Sequence, residues 1–148
     1  MRVRINDGGR QEQGYKGEAH DCVVRAIAIA MQLSYSWVYN DLHKANKDYK
    51  ATRRTKVARH MKTSPSSGNY KAVYHDYILS KGWEWTPTMK IGTGCNVHLR
   101  EGEVPTHGRI ICRLSKHLTA VIDGEIHDTH DPSRNGWRCV YGYYREAS

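Results

Sequence analysis

Cys22 is the residue best suited to covalent chemistry, because of what surrounds it in the chain. The run His20-Asp21-Cys22-Val23-Val24-Arg25-Ala26-Ile27-Ala28-Ile29-Ala30-Met31 is apolar at most positions and rich in alanine, the pattern of a largely buried helix. Asp21 is a favourable N-cap, which predicts Cys22 at the first helical position. Unpaired N–H groups and the positive end of the helix dipole favour a thiolate there, and the thiolate is the nucleophilic form. A nearby imidazole would act as general base and later as general acid. A plain packing role is the alternative, since free cysteines are among the most buried residues.

His117 is the expected partner. It opens the run His117-Leu118-Thr119-Ala120-Val121-Ile122, which reads as a central strand, and Asp123-Gly124 beyond it is the strongest hairpin signal in the chain. A two-residue turn pairs Ile122 with Glu125, Ala120 with His127, Thr119 with Asp128 and His117 with His130. Alternation then puts His117, Thr119, Asp128 and His130 on one face. Asp128 lies diagonal to His117, at ~7–8 Å between backbones, where a carboxylate can orient the imidazole. Asp131 falls on the other face unless a bulge shifts the register.

The elements that must position these residues read as helices first and strands after. Ser34 and Ser36 are candidate starts for a second helix through Trp37, Val38, Leu42 and Ala45. Thr63 to Gly68 is a break. Tyr70, Val73, Tyr74, Tyr77 and Ile78 form one helical face ended by Gly82. Strands follow at Arg109–Leu114, at His117–Ile122, from Glu125 to His130, and from Trp137 to Tyr144 after the Asn135-Gly136 turn. Residues 1–20 read as an extended lead-in. The expected class is α+β, a single domain with N-terminal helices packed against a C-terminal antiparallel sheet. The two halves would face each other across a cleft, with Trp83, Trp85 and Trp137 available to rim it or shield His117.

The net charge of +8 is concentrated. Residues 44–62 carry eight basic side chains against Asp48 alone. Lys50, Arg53, Arg54, Lys56 and Arg59 are the candidates for binding nucleic acid or an acidic partner. Read as a mere connection, the same stretch would be solvated and mobile. Of the four cysteines, Cys112 and Cys139 alternate with apolar residues and read as packing, while Cys95 in a loop is the rival nucleophile. No disulfide framework is expected in a cytosolic chain of this length. The histidines fit no zinc spacing, so neither metal nor cofactor is expected. No apolar run approaches the ~20 residues of a membrane span, and Met1-Arg2-Val3-Arg4 begins no apolar signal core. A cytoplasmic product without membrane contact is the expectation.

Asp21-Cys22 opening an Ala-rich helix, His117 heading His-Leu-Thr-Ala-Val-Ile-Asp-Gly, and an acid shortly after resemble the papain-like cysteine peptidases. The likeness is nearest to the bacteriocin-processing peptidases and small phage-encoded relatives, and covers the Cys22 helix and residues 108–144. It implies a papain-like fold, a Cys22–His117–Asp128 triad and location in a host cytoplasm if the chain is phage-encoded. The family usually carries a glutamine a few residues before its cysteine to bind the oxyanion. Here Gln11 and Gln13 lie farther away, with Gln13 preferred, and the Cys22 N–H would be the second donor. The implied activity is cleavage of a peptide, isopeptide or cell-wall amide bond through an acyl-enzyme. A weaker version is an acyltransferase using the same residues. The alternative is a binding protein on the same fold that uses residues 44–62 to engage nucleic acid or a host protein.

Overall fold

Helix α1 (Cys22–Met31) forms where the apolar run begins, and it buries Val23, Val24, Ala26, Ile27, Ala28, Ile29 and Ala30. That is nearly its whole circumference, so it lies inside the molecule. In the computed structural model, which describes residues 1–17 and 19–148, α1 packs on the sheet through a cluster that includes Ile27, Leu118, Ala120, Ile111 and Tyr144. Each fully buried Val, Leu or Ile side chain contributes about 1.5–3 kcal/mol. Helix α2 (Tyr35–Thr52) starts at Ser34, whose hydroxyl accepts from the Trp37 N–H. Helices α3 (Lys56–His60) and α4 (Lys71–Ser80) follow. Gly82, with φ of +83°, turns the chain out of α4.

Six strands form one sheet: β1 (Val3–Ile5), β2 (Trp83–Pro87), β3 (Arg109–Leu114), β4 (His117–Ile122), β5 (Glu125–Asp128) and β6 (Gly142–Glu146). Their order is β1-β5-β4-β3-β6-β2. The described residues thus make an α+β fold of four helices and a mixed sheet. The helical layer covers one face. Leu99, Val104, Ile110, Cys112, Leu114, Val121, Ile126 and Val140 form a second core on the other. No helix among the described residues is long and apolar enough to cross a membrane.

Several expectations need correction. The lead-in is not simply extended: β1 pairs parallel with β5, so the sheet is mixed rather than antiparallel. Three residues are too few for periodicity to reveal. The final strand is shorter than expected, because residues 137–141 leave the ladder and Cys139 makes only an isolated bridge with His98. Cys95 and Cys139 form a disulfide, with Cα atoms 5.8 Å apart across 44 residues of chain. Cys139 is therefore not a packing thiol. Residues 44–62 are mostly helical: α2 runs on to Thr52 and α3 follows, with the Asn46 amide donating to the Thr63 carbonyl and Lys50 Nζ to the Met61 carbonyl. A lysine stem that spans to a backbone oxygen docks the segment that charge repulsion alone would loosen.

Candidate active site

The β4–β5 hairpin turns at Asp123-Gly124, both with positive φ, and its register pairs Ile122 with Glu125 and Ala120 with His127. This carries Asp128 alongside His117. His117 Nε2 and Asp128 Oδ2 are 2.7 Å apart. Thr119 Oγ1 donates to the same carboxylate oxygen at 2.7 Å, and the Thr129 N–H donates to the other at 2.7 Å. Asp128 is 3% exposed. Burial raises its pKa, but the His117 bond and the donors around it outweigh that, so the carboxyl is held below its ordinary value. Asp131 is turned elsewhere: its Oδ1 accepts the Ser133 N–H in the turn after β5.

Cys22 begins α1 at the place where the β4–β5 ladder gives out. The Leu118 N–H, beyond the paired residues of the β4–β5 ladder, is near enough to the Cys22 sulfur to favour its thiolate. Since His117 Nε2 is engaged with Asp128, Nδ1 is the nitrogen left for the thiol. Burial pushes the Cys22 thiol up, yet His117, the Leu118 N–H and Arg25 together bring it below its ordinary value. For His117, burial favours the neutral ring, but Asp128 and Cys22 overcome this and raise its pKa to about 9. A thiol whose pKa is lowered beside an imidazole whose pKa is raised, with a buried carboxylate behind the ring, is an arrangement that favours a thiolate.

Asp21 does not cap α1 with its side chain. Its carboxylate turns inward, where it is 1% exposed, and meets Arg25, Arg10 and the Tyr35 hydroxyl. Arg25 also reaches Asp128 Oδ1 at 3.6 Å. One guanidinium therefore ties the residue before the cysteine to the acid behind the histidine. These cations offset the like-charge effect that a carboxylate next to Cys22 would have on a thiolate. Sequence reading missed this role for Arg25, although an arginine inside an otherwise apolar helix is the sort of residue that demands a buried partner.

The site opens into a cavity of about 1330 Å³ lined by Cys22, His117 and His130, by Asp7, Arg10, Gln11 and Tyr15, and by the first turn of α4. Gln11 lines it. Gln13 does not, because its Oε1 accepts the Ser36 N–H at the start of α2. The oxyanion assignment to Gln13 is thus corrected: its side chain anchors a helix. Tyr74 also lines the cavity, a role its place on a helical face did not announce. Trp137 is 69% exposed, edge-on to His98, and shields nothing at His117. Trp83 is in the core and Trp85 packs on Tyr144. His117, Asp128 and His130 each offer one ligand atom within 4.8 Å of the others, so they are the group among the described residues that could hold a metal ion. His117 and Asp128, two of the three, are hydrogen-bonded to each other.

Lys50, Arg53, Arg54, Lys56 and Arg59 are solvent-exposed on α2, α3 and their junction, and none of them lines the cavity. No family model, curated protein or solved structure matches this chain.

Proposed function

We propose that the protein is a papain-like cysteine hydrolase that cleaves an amide bond through a Cys22 acyl-enzyme. The observation that supports this most is His117 held between a buried, fully hydrogen-bonded Asp128 and the Cys22 thiol at a helix start. Cys22 Sγ attacks the carbonyl carbon and forms the S–C bond. The oxygen takes the negative charge, with the Cys22 N–H as one donor and Gln11, which lines the same cavity, as the candidate for the second. Collapse breaks the C–N bond, and the His117 proton goes to the leaving amine. Water then attacks the thioester with His117 as base, releasing the acid and restoring the thiol. Arg25 is a positioning residue that holds Asp128. The test is cleavage of a peptide mixture by the wild type and by Cys22→Ser, read by mass spectrometry. Products that persist in Cys22→Ser would remove the thiol from the reaction.

A second reading rests on the exposed cations of α2 and α3: the protein binds nucleic acid or an acidic host protein through residues 44–62. Binding of a duplex that weakens steeply with salt, and survives Cys22→Ser, would favour it.

A further inference from the structure

The cavity has an electrostatic bias that the acyl-transfer chemistry does not require. Its carboxylates among the described residues are Asp7 and Asp21. Asp7 is occupied by the backbone N–H groups of Gly9 and Gln11. Asp21 is occupied by Arg10, Arg25 and Tyr35. Three lysines that line it, Lys16, Lys71 and Lys116, are solvent-exposed and have no ion-pair partner among the described residues.

Lys71 and Lys116 stand where local structure disfavours them. Lys71 is the first residue of α4, whose first turn has no acid to offset it. A cation at a helix N-terminus opposes the helix dipole. Lys116 sits in the two-residue turn between β3 and β4 with φ of +55°, the region where glycine or asparagine is easiest. It directly precedes His117. The starts of α1 and α4 also both face the cavity, adding their own positive ends. Lys71, Lys116 and the starts of α1 and α4 therefore all add positive potential to the cavity that holds Cys22, the two lysines at a local conformational or dipole cost.

We propose that the cleft selects an amide substrate bearing a carboxylate next to the scissile carbonyl, and that Lys71 and Lys116 hold that carboxylate. The substrate class is acidic, either an aspartyl or glutamyl residue or a chain-terminal carboxylate at that position. This rests on the reading of Cys22 as the nucleophile.

The test compares alkylation of Cys22 by iodoacetate and by iodoacetamide, which attack the same way. The S–C bond forms, the C–I bond breaks and iodide leaves, and the two differ only in a carboxylate one bond from the reacting carbon. The rate ratio, iodoacetate over iodoacetamide, is measured at low salt by peptide mass mapping, with glutathione as the reference thiol. Electrostatic focusing predicts a ratio about tenfold above that of glutathione, lost in large part in Lys71→Gln/Lys116→Asn and reversed in Lys71→Glu/Lys116→Glu. Asparagine tolerates the positive φ at 116, so the first variant keeps the turn. A ratio equal to that of glutathione, or one the lysine substitutions leave unmoved, overturns the proposal while leaving Cys22 as nucleophile. Failure of Cys22 to react faster than glutathione with either reagent overturns both.

Discussion

Cys22 and Cys112 are the two free thiols, and their surroundings drive them in opposite directions. Cys112 points from β3 into an apolar core with Leu99, Val121 and Val140, where burial alone pushes its pKa up to about 12. Cys22 also loses water, but it gains His117, the Leu118 N–H and Arg25, and its pKa falls. The difference shows that burial by itself makes a cysteine inert. A cationic partner and backbone donors that outweigh the burial favour the reactive thiolate. Cys112 is fully buried and Cys22 partly so, and the direction of each shift is set by whether local partners offset that burial.

The largest expected effect comes from removing the thiol itself. Cys22→Ala should abolish hydrolysis, a fall of ~10⁴-fold or more, whereas Cys112→Ala should leave turnover in place. Comparable losses in both would mean that the contrast between the two thiols has no catalytic content.

Next in size is the acid. Asp128→Asn should cut turnover by ~10²-fold or more, because the His117 tautomer and orientation are no longer fixed. Asp131→Ala should stay within about twofold, as expected of a surface turn residue distant from the chemistry. Steady-state rates of the two variants decide this, and the opposite order would show that His117 is oriented from the other side.

The pH profile sharpens the comparison further. The proposed hydrolysis requires a Cys22 thiolate and a protonated His117 together. The rate should rise with pH through the lowered Cys22 pKa and fall through about 9, where His117 loses the proton that the leaving amine requires. Alkylation of Cys22 needs the thiolate alone and should not fall above that pH. A common decline in both would point to unfolding instead of His117 deprotonation.

The smallest effect should come from the disulfide. Cys95 and Cys139 lie outside the cavity lining, so Cys95→Ser/Cys139→Ser should leave the Cys22 alkylation rate within about twofold, as for independent sites. A large change in that rate would couple the two regions.

The parts of this arrangement that could be read from sequence are those that depend on neighbours in the chain. The Asp123-Gly124 turn sets the hairpin register, and the register alone carries Asp128 to His117. The start of α1 followed from composition. What escaped depends on distant pairings. Gln13 was separated from Gln11 only by which of them α2 engages, and Ser36 decides that. The Cys95–Cys139 bond joins positions with no shared motif. The inward turn of Asp21 requires Arg10, Arg25 and Tyr35 to converge, and an N-cap was the simpler local solution. Residues 44–62 looked like a loose linker because like charges repel, yet Asn46 and Lys50 find backbone carbonyls across the turn that follows. The strand β1 is too short to show a period and is recruited by the open edge of β5.

The central claim is that Cys22 and His117 share an ion pair, and titration of the thiolate tests it most directly. Iodoacetamide labelling of the native protein across pH, mapped to individual cysteines, should show Cys22 reacting first, with an apparent pKa below its ordinary value of 9.0 that rises in His117→Ala. Cys112 should stay unlabelled until the protein unfolds. A Cys22 that titrates at or above 9.0, or whose reactivity is indifferent to His117→Ala, would contradict the account.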